Sequence, residues 1–270
     1  MDARNYWRIR LFRTLRMALL MTAAVSVAPT HAHAADKPAT VYELRIYTPA
    51  EGKREAVSDR MRDHGMKLTA KHHITPIGFW TPLDPKDQRI VVLVSHESAE
   101  ARESNWKAFG ADEEWKKVYA ATEKDGKLVE KVDVQLLSVT DYSPDIGKFA
   151  ATKNERVFEL RTYTATPNNL GNLNDRFRNH TIKLFEKYGM TNVVYFNRLK
   201  GQPHDDAMLI YFLTHASVEA HKKSFDEFRK DADWNAAREA SEKKGGGSLT
   251  AAKNGVVSLM LVPTAYSPMK

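Results

Sequence analysis

The octet VYELRIYT at residues 41–48 returns, with two changes, as VFELRTYT at residues 157–164. The copies start 116 residues apart (157 minus 41), a spacing too long for a solenoid repeat and suited to a small domain. Further pairs keep this spacing, among them His64 and His180. Later the spacing grows to 119 and then to 124 residues, as loop insertions in a duplicated domain would produce. The chain therefore holds two copies of one module.

Each copy begins with a strand and continues in the order β-α-β-β-α-β. In the first octet Tyr42 and Leu44 alternate with Glu43 and Arg45, so the strand has one apolar face and one charged face. We expect the apolar face to pack against helices and the charged face to meet a second sheet. The element order is ferredoxin-like, with an antiparallel sheet and helices on one side. It predicts an α+β protein in which two tandem ferredoxin-like domains pack their sheets face to face as a pseudo-twofold α/β barrel; two separate domains are the alternative.

The N-terminal segment differs from the rest of the chain. Residues 1–34 contain an arginine-rich start, an apolar run of twelve residues and an Ala-His-Ala site that ends at Ala34. This pattern predicts a signal peptide cleaved near Ala34, export to a periplasm, and no stable membrane anchor, because the apolar run is too short to span a bilayer. A mitochondrial presequence is the rival interpretation. The first domain then covers 35–144, a linker 145–155, and the second domain 156–270.

The formal net charge of +7 overstates the basic character of the mature protein. Residues 1–34 carry five arginines and one aspartate, so their removal lowers the net charge to about +3. No cluster of basic and aromatic residues remains, which argues against nucleic-acid binding. The absence of cysteine excludes disulfides, thiolate nucleophiles and cysteine-ligated metal sites.

His64 and His180 are the candidate catalytic residues. Each occupies the same place on a helical stripe that is otherwise apolar. A partly buried imidazole there could act as a general base, orient a carbonyl group or bind haem iron. The alternative is a core histidine that donates a hydrogen bond to a backbone carbonyl.

The charged strand face carries Arg45 in the first copy and Arg161 in the second. If the two sheets meet, these arginines are enclosed with Glu43 and Glu159, and unpaired burial would be costly. We therefore expect an ion-pair network between the sheets, with anion binding by Arg45 and Arg161 as the alternative.

Three aromatic residues of the second strands are candidate ligand-binding residues. Trp80 and Phe196 end these strands, where the mouth of a pocket would lie, and Tyr195 precedes Phe196. Their alternative role is ordinary core packing.

A metal site near the first helix is not expected. His64, His72 and His73 lie close together in sequence, but the second copy has Tyr188 and Gly189 at the last two positions. No carboxylate stands at helical ligand spacing from these histidines. We predict no metal site.

The motifs of both copies resemble the NIPSNAP family of the dimeric α/β-barrel superfamily. YELRIYT, DHGMKLTAKH, IGFW and NWKAFGADEEW carry the resemblance in residues 41–143, and FELRTYT, NHTIKLFEKYG and FRKDADW carry it in 157–267. The resemblance implies the barrel fold and a ligand site between the sheet and the helices of each half. The superfamily includes cofactor-less monooxygenases, isomerases and haem enzymes, so the fold does not choose the chemistry. The family's arginine on the second helix is Arg102 in the first copy but His221 in the second, so the two halves need not share one role.

The sequence predicts an exported barrel protein that binds a small apolar or aromatic molecule. One form of this hypothesis is a cofactor-less oxygenase or isomerase with His64 or His180 as the base. The alternatives are a non-catalytic interaction module and haem binding through one of the two histidines. A small-molecule ligand is the expected partner, no cofactor is expected, and a homodimer of the two-copy unit is compatible with the sequence.

Overall fold

The computed structural model describes residues 40–148 and 156–270. The predicted signal peptide and most of the predicted linker lie outside the described residues, so export stays a prediction. Within the described residues, no helix combines the length and the apolar character needed to cross a membrane.

The two copies form the same series of elements. The elements of the first copy are β1 Val41–Pro49, α1 Arg54–Arg60, α2 Met66–Lys71, β2 Thr75–Pro82, β3 Ile90–His96, α3 Ala99–Ala111, α4 Glu113–Thr122 and β4 Val129–Val139. Those of the second are β5 Val157–Thr164, α5 Leu170–Arg176, α6 Ile182–Lys187, β6 Thr191–Arg198, β7 Met208–His215, α7 Val218–Phe228, α8 Ala232–Gly245 and β8 Val256–Pro263. A π-helical turn joins the first two helices of each copy, at Met61–Gly65 and at Phe177–Thr181.

Polar side chains define where the later helices of each copy begin. Ser98 and Ser217 accept hydrogen bonds from backbone N–H groups in the first turns of α3 and α7. Asp112 and Asp231 do the same for α4 and α8. Asp112 also contacts Nε2 of His72 at 2.8 Å, so this histidine supports a helix start.

The eight strands form one closed barrel in the order β1-β3-β2-β8-β5-β7-β6-β4. Every neighbouring pair is antiparallel. Each copy contributes four adjacent strands, and the barrel closes where β2 pairs with β8 and β4 pairs with β6. The expectation of a closed antiparallel α/β barrel is confirmed. Backbone hydrogen bonds between β2 and β8 and between β4 and β6 therefore join the two halves, in addition to the packing of their inner faces.

The orientation expected for the octet strands is wrong. The apolar residues Tyr42, Leu44, Phe158 and Leu160 belong to the core cluster inside the barrel. Glu43 and its neighbours on the charged face instead point toward the helices. The reason is closure, because the interior of an eight-stranded barrel has room for side chains but little else and favours the apolar faces.

Candidate functional site

A cavity of about 390 Å³ lies between the sheet and the helices of the first half. Its walls come from all four strands of that half, from the π-helical turn Met61–Gly65, and from the helices on either side. Most of the lining is apolar or aromatic, with Phe79, Val92, Trp106 and Trp115 as examples. A concave, mainly apolar cavity with few polar groups is typical of small-molecule sites.

The first helical segment presents small or flexible side chains to this cavity. Met61, Gly65 and Thr69 follow one another at intervals of four residues and all line it. The π-helical turn lies in the same stretch, and such turns occur often at functional sites. Because glycine and threonine occupy little volume, the helix covers the sheet without filling the space between them.

Arg45 is a charged side chain of β1 that lines the cavity, beside Tyr47 of the same strand. Its Nη1 donates a hydrogen bond to Glu43, its Nε donates one to the hydroxyl of Tyr47 at 2.9 Å, and its guanidinium lies 4.4 Å from the centre of the Trp106 ring. Burial alone would lower the pKa of Arg45, but Tyr47 and Glu43 together raise it, so the group stays charged. Within the described residues, Nη2 of Arg45 donates no hydrogen bond.

Glu43 lies behind Arg45 and is fully buried. It accepts hydrogen bonds from Arg102 Nε at 2.7 Å and from Trp106 Nε1 at 2.9 Å, and Nε2 of His96 lies 3.3 Å from the same oxygen. Burial on its own would raise the pKa of Glu43. The hydrogen-bonding groups and the charge of Arg45 outweigh burial and hold the pKa well below its usual range. The ion pair predicted at this position exists, but it faces the helices and not a second sheet.

Arg60 supplies a second positive charge to the cavity. Its Nη1 lies 2.6 Å from a carboxylate oxygen of Glu123, and its guanidinium lies over the rings of Trp115 and Tyr119. Burial would raise the pKa of Glu123, and the contact with Arg60 lowers it to below the usual value. The cavity thus combines aromatic walls with two arginines, each held by a carboxylate.

The corresponding space in the second half is filled by the protein itself. In the strand register, Val92 of β3 lies opposite Arg45 of β1, and Tyr211 of β7 lies opposite Arg161 of β5. Val92 and Tyr211 therefore occupy equivalent positions in the two halves. The rings of Phe177 and Tyr211 lie 5.2 Å apart, and both residues are buried. The larger residues of the second half are Phe177 for Met61, Thr181 for Gly65, Phe185 for Thr69 and Tyr211 for Val92.

The two candidate histidines lie outside this cavity. His64 is half-buried on the first π-helical turn but is not among the lining residues. His180 is exposed on the second turn, where it borders a cleft of about 210 Å³ with Arg176. The structure brings neither histidine to the arginines of the cavity, and their catalytic role stays a prediction.

Two of the candidate aromatic residues lie inside the barrel. Trp80 contacts Phe158 and Phe212, with ring centres 5.4 and 5.2 Å away, and Phe196 lies 5.1 Å from Tyr42. All belong to the core cluster of the barrel interior. This position separates Trp80 and Phe196 from the cavity, because the sheet lies between them and the helices.

Two further candidates, Tyr195 and Arg161, lie under the helices of the second half. The ring of Tyr195 stacks on Tyr211 at 4.8 Å, and its hydroxyl donates a hydrogen bond to Asn192. Arg161 pairs with Glu159 and lies 4.6 Å from the centre of the Phe225 ring. Of the residues selected from the sequence as site candidates, Arg45 alone lines the cavity of the first half.

Arg60, Glu123 and Val92 of the cavity wall were not selected from the sequence. A difference in size between the copies could have found Val92, whose counterpart in the second copy is Tyr211. Arg60 and Glu123 have the identical counterparts Arg176 and Glu242, so no difference between the copies marks them as site residues.

The buried carboxylates predict an acid-sensitive fold. The pKa of Glu43 is lowered, and so is that of Glu159, where the hydrogen bond with His215, the nearby imidazole of His221 and the charge of Arg161 outweigh burial. Because both folded values lie below the unfolded value of about 4.3, this stabilisation is present above that pH and is lost as the pH falls. We expect the free energy of unfolding to decrease between about pH 5 and pH 3. Urea unfolding at a series of pH values tests this, and Glu43→Gln should flatten the slope; an unchanged slope would contradict the assignment.

A closed antiparallel barrel built from two copies, with helices outside and a cavity under the helices of one copy, defines a two-copy α/β-barrel protein. The sequence pattern of the NIPSNAP family matches residues 42–144 and again residues 158–268. The chain belongs to the NIPSNAP family, and the resemblance seen in its motifs is confirmed.

Solved structures of similar fold come from proteins of low sequence identity. An anthrone oxidase-like protein is 15% identical with a TM-score of 0.55, over 87% of this chain and 95% of its own. A proposed monooxygenase from Lactobacillus acidophilus NCFM is 13% identical with a TM-score of 0.51, over 83% and 94%. An uncharacterized NIPSNAP-like domain protein from Burkholderia xenovorans is 20% identical with a TM-score of 0.35, over 39% and 90%. The first two similarities show the fold alone. None of the curated proteins compared with the chain matches it in sequence.

Proposed function

We propose that the protein binds a small aromatic molecule with an anionic group in the cavity of its first half. The observation that carries the proposal is the difference between the two copies. The second half fills this space with the rings of Phe177, Phe185 and Tyr211, whereas the first half leaves about 390 Å³ open. The rings of the second half indicate what the space accommodates, which is flat apolar surface.

The charges around the cavity favour an anion. Arg45, Arg60 and Arg102 carry three positive charges, and Glu43 and Glu123 carry two negative charges, which leaves one positive charge in excess. Arg45 lines the cavity, and its Nη2 has no hydrogen-bond partner among the described residues. A carboxylate or phenolate would accept this hydrogen bond while its ring contacts Trp106 and Trp115.

We extend this proposal to the fold of each half, to the reaction and to the location of the protein. The strand order β4-β1-β3-β2, repeated as β8-β5-β7-β6, supports treating each half as a ferredoxin-like unit. Structural similarity to an anthrone oxidase-like protein and to a proposed monooxygenase supports an oxygenase-type reaction on the bound molecule. Because His64 does not line the cavity, Arg45 is the better candidate for stabilising a phenolate or enolate there. We also propose that the mature chain is exported, as its N-terminal segment predicts.

Haem binding remains the cofactor alternative. The residues that line the cavity include no histidine, so they do not supply the axial imidazole that His64 or His180 was expected to provide. Reconstitution with haem followed by an absorption spectrum tests this alternative, and a Soret band lost in His64→Ala or His180→Ala would support it.

Filling the cavity with the residues of the second half tests the proposal. We expect 2-naphthoate to bind the wild-type chain with a stoichiometry of one in isothermal titration calorimetry, and to bind more tightly than neutral 2-naphthol. The double variant Thr69→Phe and Val92→Tyr copies the second half and should weaken binding by at least about tenfold, because the space for the ring is gone. The control is Val257→Tyr, at an exposed position of the second half, which should bind as the wild type does.

Equal binding by the filled variant and the wild type would overturn the proposal, as would the absence of stoichiometric binding to the wild type. A thermal unfolding curve of each variant distinguishes lost binding from lost folding.

A further inference from the structure

Three potential metal ligands meet in the second half of the barrel. Nε2 of His215 lies 3.1 Å from one carboxylate oxygen of Glu159, and Nε2 of His221 lies 3.5 Å from the other. The three residues each offer a ligand atom, and these atoms all lie within 4.8 Å of one another. The cluster lies apart from the cavity of the first half and does not depend on the function proposed for it.

The fold brings these residues together from distant parts of the sequence. His215 ends β7, where its backbone is opposite Val157 of β5, and Glu159 follows two residues later on the same face of β5. His221 lies in the first half of α7, which packs over this end of the sheet. The two imidazole rings meet edge to face, with centres 4.7 Å apart.

The first half shows what the site looks like with an arginine in place of the second histidine. There Glu43, His96 and Arg102 occupy the equivalent positions, and Arg102 Nε donates a hydrogen bond to Glu43 at 2.7 Å. An imidazole at this position removes a permanent positive charge and supplies a nitrogen lone pair. Arginine binds no metal ion, whereas neutral imidazole is a common ligand.

Nε2 of His221 is available as a ligand atom. Its Nε2 is buried and makes no hydrogen bond within the described part of the chain, although it faces the carboxylate. Glu159 is fully buried and His215 nearly so, whereas His221 keeps about a fifth of its side chain exposed. An ion could therefore reach the cluster from the side of α7.

We propose that Glu159, His215 and His221 bind a divalent first-row transition metal ion, with Zn²⁺ or Fe²⁺ as the natural occupants. Two imidazoles and one carboxylate form a donor set that these ions accept. Bond lengths of about 2.0–2.2 Å place neighbouring ligand atoms about 3.4 Å apart in tetrahedral geometry, close to the 3.1 Å between Nε2 of His215 and its nearest carboxylate oxygen. All three ligand atoms lie within 4.8 Å of one another, so small side-chain movements would complete the site.

Two further groups orient the carboxylate. Arg161 Nη1 and Ser258 Oγ both donate hydrogen bonds to the same oxygen of Glu159, which leaves the other oxygen free of them. Such outer contacts fix ligand orientation in metal sites. The positive charge of Arg161 also opposes a second cation, so we expect weaker binding than at a structural zinc site with thiolate ligands.

Titration of untagged full-length protein with Zn²⁺ tests the proposal. After treatment with EDTA and its removal, we expect one Zn²⁺ to bind per chain in isothermal titration calorimetry. Co²⁺ should give visible absorption bands from nitrogen and oxygen ligands. The variant His221→Arg copies the first half, so it should fold, and it should bind Zn²⁺ at least about tenfold more weakly.

Two further variants serve as controls. His180→Arg changes an exposed histidine outside the cluster and should leave Zn²⁺ binding unchanged. Arg102→His builds the same trio in the first half and should add a second Co²⁺ site with a similar spectrum. Wild-type protein that binds neither ion in stoichiometric amount would overturn the proposal, as would a His221→Arg variant that binds like the wild type.

Discussion

Replacing Glu43 by alanine is expected to lower the free energy of unfolding by about 3–5 kcal/mol, because the change leaves the largely buried charges of two arginines without their carboxylate. Glu43 is fully buried and contacts Arg45, Arg102 and Trp106. Urea denaturation at neutral pH measures the loss. The magnitude reflects the cost of the arginines left behind and not the net strength of one ion pair.

Two comparisons make this expectation specific. Glu55→Ala removes an exposed carboxylate whose side chain is 79% accessible, and it should change stability by less than about 0.5 kcal/mol. Glu43→Gln keeps the shape of the side chain and should fall between the two, since an amide oxygen can still accept hydrogen bonds. A loss below about 1 kcal/mol for Glu43→Ala would show that the arginines find solvent or other partners.

Replacing Trp80 by alanine is expected to cost about 3–5 kcal/mol, because it opens a large void in the barrel interior. Trp80 has no exposed surface and contacts Phe158 and Phe212 across the barrel. The ring also lies over Gly78, where an added Cβ would stand 2.1 Å from a ring carbon. Neighbours held in a closed sheet cannot move inward to fill the space, so little of the loss is recovered.

Trp80→Phe is the matched variant for this position. Nε1 of Trp80 is buried without a hydrogen-bond partner in the described structure, so the phenyl ring removes no hydrogen bond. We expect a loss well below that of the alanine variant, measured by urea unfolding of both proteins. Equal losses would mean that the indole nitrogen has a role beyond packing.

The repeat was enough to predict the architecture, because the patterns that indicate strands and helices depend only on residues close together in the sequence. Alternation in the octets and helical periodicity after them depend on neighbouring residues, and two copies of the same order predict a symmetric barrel. Local alternation shows that Tyr42 and Glu43 lie on opposite faces, but it does not show which face is enclosed. That choice depends on barrel closure, which pairs Trp80 of β2 with Pro263 of β8 and Leu137 of β4 with Arg198 of β6, residues far apart in the sequence.

The candidate site was predictable only in part for a similar reason. Arg45 was selected because it lies with Glu43 on the charged face of a strand that was expected to be enclosed. The cavity beside it depends on the volumes of Thr69, Val92 and their neighbours, and none of these residues is unusual by itself. Their significance appears when Phe185 and Tyr211 are seen to fill the equivalent space.

The cluster of Glu159, His215 and His221 shows the same limit. Its members come from β5, β7 and α7. In the sequence, Glu159 was considered only as an ion-pair partner of Arg161, and His221 only as a departure from the family's arginine. The sequence alone determined the duplication, the order of the elements and the types of residue at each position, since these follow from the order of the residues along the chain. The tertiary structure alone decided which faces are buried, where space remains and which distant side chains meet, because these depend on how the strands close around one core.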